Sequence, residues 1–247
     1  MNKFKKLLTS SALLSFLAIP AYSAPDEHKH LEILGGELVF GAGVQSQYVG
    51  KGIDENSDRP VYSLSATFER SFGFVDFYAG YSTISATGDN YSREDARKIG
   101  FTKEIADFTF EIGLAETLKK GNRPNNQNND VDFVYGLIFE PEKAAYSIGL
   151  LYTVSDTGGS KTETKGIKDK NYKEINASYD FDLLSVSASY GEQQNDRDIR
   201  TLALSRSFMD ADFKVTYIDV KRKHAESSLS GHRSNRDYVV FSVAKEF

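Results

Sequence analysis

The 247-residue chain contains no cysteine and no tryptophan, and few prolines or methionines. Without cysteine it has neither a disulfide framework nor a thiolate metal site, so an exported chain of this size must be held by its fold alone. There is no run of 18 or more apolar residues, which excludes a helical membrane protein. Positive charge is also short: Lys and Arg number 30 against 35 Asp and Glu, a formal charge of −5. That balance argues against a nucleic-acid partner. Of the four histidines, His28 and His30 lie near the start, and His224 and His232 lie in a late segment dense with Lys221, Arg222, Lys223, Arg233 and Arg236. None sits beside a nucleophile in an apolar-periodic stretch, and no pair has metal-ligand spacing, so no catalytic, cofactor or metal site is expected.

The chain begins with a basic stretch, Asn2-Lys3-Phe4-Lys5-Lys6, then an apolar run from Leu7 to Ile19, then small residues around Ala21-Tyr22-Ser23. This is the pattern of a secretory signal peptide over residues 1–23, with the mature chain over 24–247. Removing Lys3, Lys5 and Lys6 takes the formal charge from −5 to −8.

From Glu37 onward apolar and small or polar residues alternate in twelve runs, each near the ~9–11 residues a tilted strand needs to cross a bilayer. Leu38, Phe40, Ala42 and Val44 alternate with Gly41, Gly43 and Gln45; Leu184, Val186, Ala188 and Tyr190 alternate with Ser185, Ser187 and Ser189. The last run, Val239, Phe241, Val243 and Phe247 against Ser242, Ala244 and Glu246, ends on an aromatic and needs a partner. Connections alternate too. Short turns are expected near Phe72-Gly73, Ile105-Ala106, Pro141-Glu142, Asp180 to Asp182 and Met209 to Asp212. Long polar loops are expected at Gly50 to Arg59, Ala86 to Asp95, Lys119 to Asn129, Asp156 to Lys170, Gly191 to Arg197 and Lys221 to Arg236.

The expected fold is therefore all-β: a transmembrane antiparallel up-and-down barrel of about twelve strands, closed by pairing Tyr238 to Phe247 with Glu37 to Val49. The apolar parity carries two aromatic belts, Tyr48, Tyr62, Tyr81, Tyr152 and Tyr190 toward the long loops and Phe68, Phe108, Phe139, Phe208, Phe213 and Phe247 toward the short turns. Arg206 and Lys245 interrupt that parity near the short-turn rim, where basic side chains can snorkel.

The opposite parity would line a pore, with Glu69, Asp76, Lys98, Glu111, Asp132, Glu174 and Lys214 as its main ionisable members. Acids predominate, which predicts a weak preference for cations among small hydrophilic solutes or ions diffusing passively. A closed lumen, braced by the same charges in a barrel with a structural or surface-interaction role, stays open as the other reading. The basic loops Lys161 to Lys170 and Lys221 to Arg236 read equally as contacts for outer-membrane lipid and lipopolysaccharide phosphates or as solvated charged loops.

Ser46, Tyr48, Lys51, Gly52 and Ile53, followed by Pro60, resemble the opening motif of the TorF family of small proteobacterial outer-membrane porins. In that family an arginine usually stands where this chain has Lys51. The resemblance implies a passive channel in the outer membrane of a Gram-negative bacterium and brings no catalytic residue with it. The terminal Phe247 resembles the signal that the barrel-assembly machinery reads during biogenesis.

Overall fold

The computed structural model describes residues 31–247 except 51–52, 55–58, 86–90, 122–126, 157–170, 195 and 224–234. The expected signal peptide, all four histidines, Lys51, Gly52 and the basic loop Lys161 to Lys170 lie outside the described residues.

The described residues form no helix. Strands β1 (Leu31–Ile33) and β2 (Gly36–Gln45) make a hairpin, and β3 (Val49–Gly50) and β4 (Ile53–Asp54) make a second, separate one. The remainder are β5 (Val61–Ser71), β6 (Asp76–Ser85), β7 (Tyr91–Ile105), β8 (Phe108–Gly121), β9 (Gln127–Phe139), β10 (Tyr146–Asp156), β11 (Tyr172–Phe181), β12 (Leu184–Gln193), β13 (Arg197–Phe208), β14 (Ala211–Arg222) and β15 (Asn235–Glu246). Each of these pairs antiparallel with its neighbour in sequence, and β2 pairs with both β5 and β15. That double pairing closes a twelve-stranded barrel of β2 and β5 to β15, with β1 as an additional strand.

Why these residues form strands is visible in their exposure. Phe40, Leu64, Ile99, Phe110, Ile112, Leu150, Leu202 and Phe241 are exposed on one parity, while Val61, Thr67, Ser82, Thr102, Thr153 and Glu174 are buried on the other. A water-soluble barrel hides its apolar side chains inside. Here they face outward, which is the arrangement a lipid-facing wall requires. Near the short-turn rim the outer rings touch across strands: Phe68, Phe77 and Phe101 in one row, Phe108, Phe139 and Tyr146 in another, with centroids 4.9–6.4 Å apart. Such cross-strand pairs fix register.

The structure corrects three expectations. First, the seam is shorter than expected. β15 pairs with β2 only from Ser242 opposite Gln45 to Glu246 opposite Gly41, extended by mutual backbone bonds between Phe247 and Phe40. Below Phe40, β1 takes over: Leu31 lies opposite Leu38 and Ile33 opposite Gly36. The two-residue turn Leu34-Gly35 has φ of 54° and 71°, the left-handed pair that a tight hairpin needs. Second, β7 begins at Tyr91, inside the loop expected at Ala86 to Asp95, and β8 runs to Gly121, inside the loop expected at Lys119 to Asn129. Third, Tyr48 does not join the aromatic belt. The chain leaves the wall after Gln45 and carries Tyr48 into the lumen.

The lumen as candidate functional site

The inner face divides into two halves of different chemistry. Toward the short turns lie Glu37, Glu69, Asp76, Lys98, Glu111, Lys214 and Glu246, all half-buried. Register places Glu37 directly across from Glu69, and Lys98 across from Gly80. The Tyr78 hydroxyl donates to Glu111 Oε1 at 2.6 Å, and Lys98 Nζ sits 5.4 Å from the centre of the Tyr78 ring.

These large side chains lie flat along the wall because glycines on neighbouring strands leave room. The Tyr78 ring crosses Gly100 and Gly113, and Lys98 covers Gly80. A Cβ on Gly100 would come within 2.6 Å of both the Ile112 carbonyl oxygen and Tyr78 Cζ. Gly100→Val is therefore expected to cost about 1–3 kcal/mol through overpacking. The folded, heat-modifiable gel band should then melt at lower temperature than wild type; an unchanged melting point would show that both Tyr78 and the β8 backbone at Ile112 yield without cost.

Toward the long loops the inner face turns apolar. Ala115, Val134, Leu151, Tyr172, Ile199, Ile218, Val220, Tyr238 and Val240, from strands β8 to β15 excepting β12, form one buried cluster, and Val49 belongs to it. Val61 and Ile84, on β5 and β6, form a second cluster with Tyr48. Tyr48 and Val49 thus send adjacent side chains into two different clusters of the inner face. The Tyr48 hydroxyl donates to Glu94 Oε1 at 2.7 Å, and Glu94 lies opposite Lys119, whose Nζ is 3.7 Å from Glu94 Oε2.

Short-range bonds aim the chain inward at this point. Ser46 bonds Phe241 twice: its amide donates to the Phe241 carbonyl at 2.8 Å, and its Oγ accepts from the Phe241 amide at 3.1 Å. The Gln47 amide group donates to the Val239 carbonyl at 3.2 Å. With Ser46 and Gln47 tied to β15, the next two residues project into the barrel, and the β3–β4 hairpin follows.

The seven ionisable residues singled out in the sequence all lie on the inward parity, but they are not one ring. Glu69, Asp76, Lys98, Glu111 and Lys214 share the short-turn half. Asp132 and Glu174 are buried in the apolar half, each 5% exposed. The Tyr172 hydroxyl donates to Glu174 Oε2 at 2.6 Å, and the Asn176 amide group is 3.4 Å from Glu174 Oε1. Sequence reasoning missed Tyr78, Tyr172, Glu94 and the apolar lining. The available signal was Ile84, Leu151, Ile199, Ile218, Val220 and Val240, which fall out of phase with the lipid-facing row toward the long-loop ends.

No protein-family model matches the chain, and no curated protein is similar to it. Among solved structures it is similar to an anion-selective porin from Comamonas acidovorans, with 11% identity over 86% of this chain and 100% of that one, and a TM-score of 0.42. It is also similar to Salmonella typhi OmpF in complex with daunomycin, with 10% identity over 86% and 98% of the two chains and a TM-score of 0.43. A third similarity is to OmpT of Vibrio cholerae, with 9% identity over 89% and 100% and a TM-score of 0.42.

Proposed function

We propose that this barrel is a porin-like outer-membrane channel for small hydrophilic solutes or ions, and that the hairpin folded into its lumen sets the flux. One observation carries the proposal: Tyr48 and Val49, adjacent in the chain where it leaves the wall, are buried in the lumen in two different apolar clusters of its inner face. An apolar constriction conducts only when it is wetted or displaced. The polar short-turn half is then a vestibule facing the periplasm. Its charged side chains, chiefly Glu37, Glu69, Asp76, Glu111 and Glu246 against Lys98 and Lys214, support a weak cation preference.

We infer as well that residues 1–23 direct export and that the assembly machinery reads Phe247. Of the residues that resemble the TorF motif, Ser46 and Tyr48 lie where the chain leaves β2 for the lumen, Ile53 lies on β4 and Pro60 precedes β5. The same apolar clusters favour the second reading, a barrel closed for structural or surface-interaction purposes.

Purified protein in a planar bilayer separates the two. A channel gives discrete conductance steps with a reversal potential displaced toward the cation equilibrium in a salt gradient. Silence from a barrel that shows its heat-modifiable band would remove the channel, and a neutral or anion-selective reversal potential would remove the cation preference.

A further inference from the structure

The outer surface of β7 and β8 carries charge where the parity would place lipid-facing side chains. Above Ile99 and Leu114, the outward positions are Arg97, Asp95 and Arg93 on β7, and Glu116, Leu118 and Lys120 on β8. Asp95 is the centre of the group. Its side chain is only 6% exposed, with Arg93 Nε 2.6 Å from Oδ1 and Lys120 Nζ 3.0 Å from Oδ2. Tyr81 completes the cage: its hydroxyl donates to Asp95 Oδ1 at 3.0 Å and accepts from Arg93 Nη2 at 2.8 Å.

One cation would neutralise Asp95. Instead Arg93 and Lys120 stand directly opposite each other across the strand pair, an arrangement of like charges that normally destabilises a sheet. A register shift between Tyr91 and Arg93 accompanies it, the kind of bulge that re-aims a side chain. Both cationic side chains stay nearly half exposed, and Arg97, 3.4 Å from Glu116, is 67% exposed. Three cations thus face two carboxylates on this surface.

The outer wall of β12 to β15 makes a useful contrast. There Arg200, Lys221 and Lys223 meet Glu192, Asp198 and Asp219 in ion pairs, with Asp237 as a further outward carboxylate. That surface carries no excess of positive charge. Among the described residues, the cationic surplus above the apolar band belongs to β7 and β8.

We propose that Arg93, Lys120 and Arg97 form a binding site for the phosphorylated headgroup of an outer-leaflet lipid, with Asp95 and Tyr81 holding the two opposed cations in a fixed fork. The acyl chains lie below, along Ile99, Phe101, Ile112 and Leu114, which are all exposed. A phosphate between Arg93 and Lys120 turns their mutual repulsion into two charge-assisted hydrogen bonds. The site rests on the outer-membrane placement proposed above, and it does not depend on whether the lumen conducts.

The test uses the intact barrel folded in detergent. It is titrated with a bisphosphorylated glucosamine-disaccharide lipid and with the same lipid after phosphate removal, and bound lipid is counted by native mass spectrometry. The phosphorylated lipid should bind in preference, and Arg93→Gln with Lys120→Gln should weaken it about tenfold. Arg200→Gln should leave it unchanged. Equal binding of the two lipids by wild type, or an effect of Arg200→Gln as large as that of the double variant, would overturn the site. If the double variant does not fold, the exposed Arg97→Gln takes its place: it should weaken binding of the phosphorylated lipid, and binding equal to wild type would overturn the site. A chain that is soluble without detergent and shows no heat-modifiable band would overturn the membrane placement and the site with it. An inserted barrel indifferent to phosphate overturns the site only.

Discussion

Replacing Tyr48 and Val49 together by serine is expected to raise single-channel conductance several-fold and to shorten closed periods. The two side chains are the described part of the chain that joins the Val61–Ile84 wall to the cluster spanning β8 to β15. Serine removes the ring, the isopropyl group and the hydroxyl that reaches Glu94. Each large apolar side chain leaving a buried site forfeits about 1.5–3 kcal/mol, so the hairpin loses its main reason to stay inside. The barrel itself should survive, because its strand ladders and outer rows are untouched, and the heat-modifiable band reports on that separately. Glu94→Gln is the milder companion: it keeps an acceptor for Tyr48 and removes the charge facing Lys119, so a smaller rise is expected. Conductance identical to wild type in the double variant would mean that the hairpin does not control passage.

Deleting Phe247 is expected to cut the yield of folded barrel sharply, while Lys245→Leu leaves it near wild type. Phe247 closes the seam with two backbone bonds to Phe40, its amide donating at 2.9 Å and its carbonyl accepting at 3.4 Å. The ladder above it is short, ending at Ser242 opposite Gln45, whereas β7 and β8 pair from Tyr91 to Ile105. Loss of one end residue is therefore a large fraction of what holds the ring shut. Lys245, by contrast, makes a loose pair with Asp210 at 3.8 Å, near the rim. Exposed pairs of this kind contribute ~0–1 kcal/mol, and leucine suits the lipid face. The ratio of folded to unfolded bands after refolding measures both variants. Equal folded fractions for the deletion and wild type would dissociate Phe247 from closure.

The periodicity of residues revealed the wall of this barrel and concealed its contents. Alternation of Leu184, Val186, Ala188 and Tyr190 with serines has one physical meaning, because only a sheet with unlike faces produces it. The long-loop ends of β7 and β8 were illegible by the same rule. Arg93, Asp95 and Arg97 share their stretch with Glu94 and Lys98, so both faces read as polar and the stretch looks like a loop. Tyr48 has the parity of Val44, yet after Gln45 the bonds from Ser46 and Gln47 to β15 redirect the chain, and parity loses its meaning once a strand leaves the sheet. The apolar lining failed differently. Val61, Ile84, Ile199 and Val220 sit near strand ends, where a single out-of-phase residue is ordinary; only their recurrence on many strands carries information, and recurrence across a ring appears once the ring is known. The division of the inward charged residues into a half-buried group and the deeply buried Asp132 and Glu174 has no counterpart in the alternation, because both groups share one parity.

The short hairpin at the start of the described chain has a consequence for how the ring ends. Running down β2, Phe247 stands opposite Phe40 and Leu31 opposite Leu38, and β15 and β1 point the same way along one line. Together they amount to a single strand with a nick opposite Val39. The wall therefore has a break in covalent continuity with almost no break in its hydrogen-bonded surface, and β2 offers no long bare edge to a passing strand. A cylinder mended in this way is topologically a closed band, and its beginning and end are neighbours by construction.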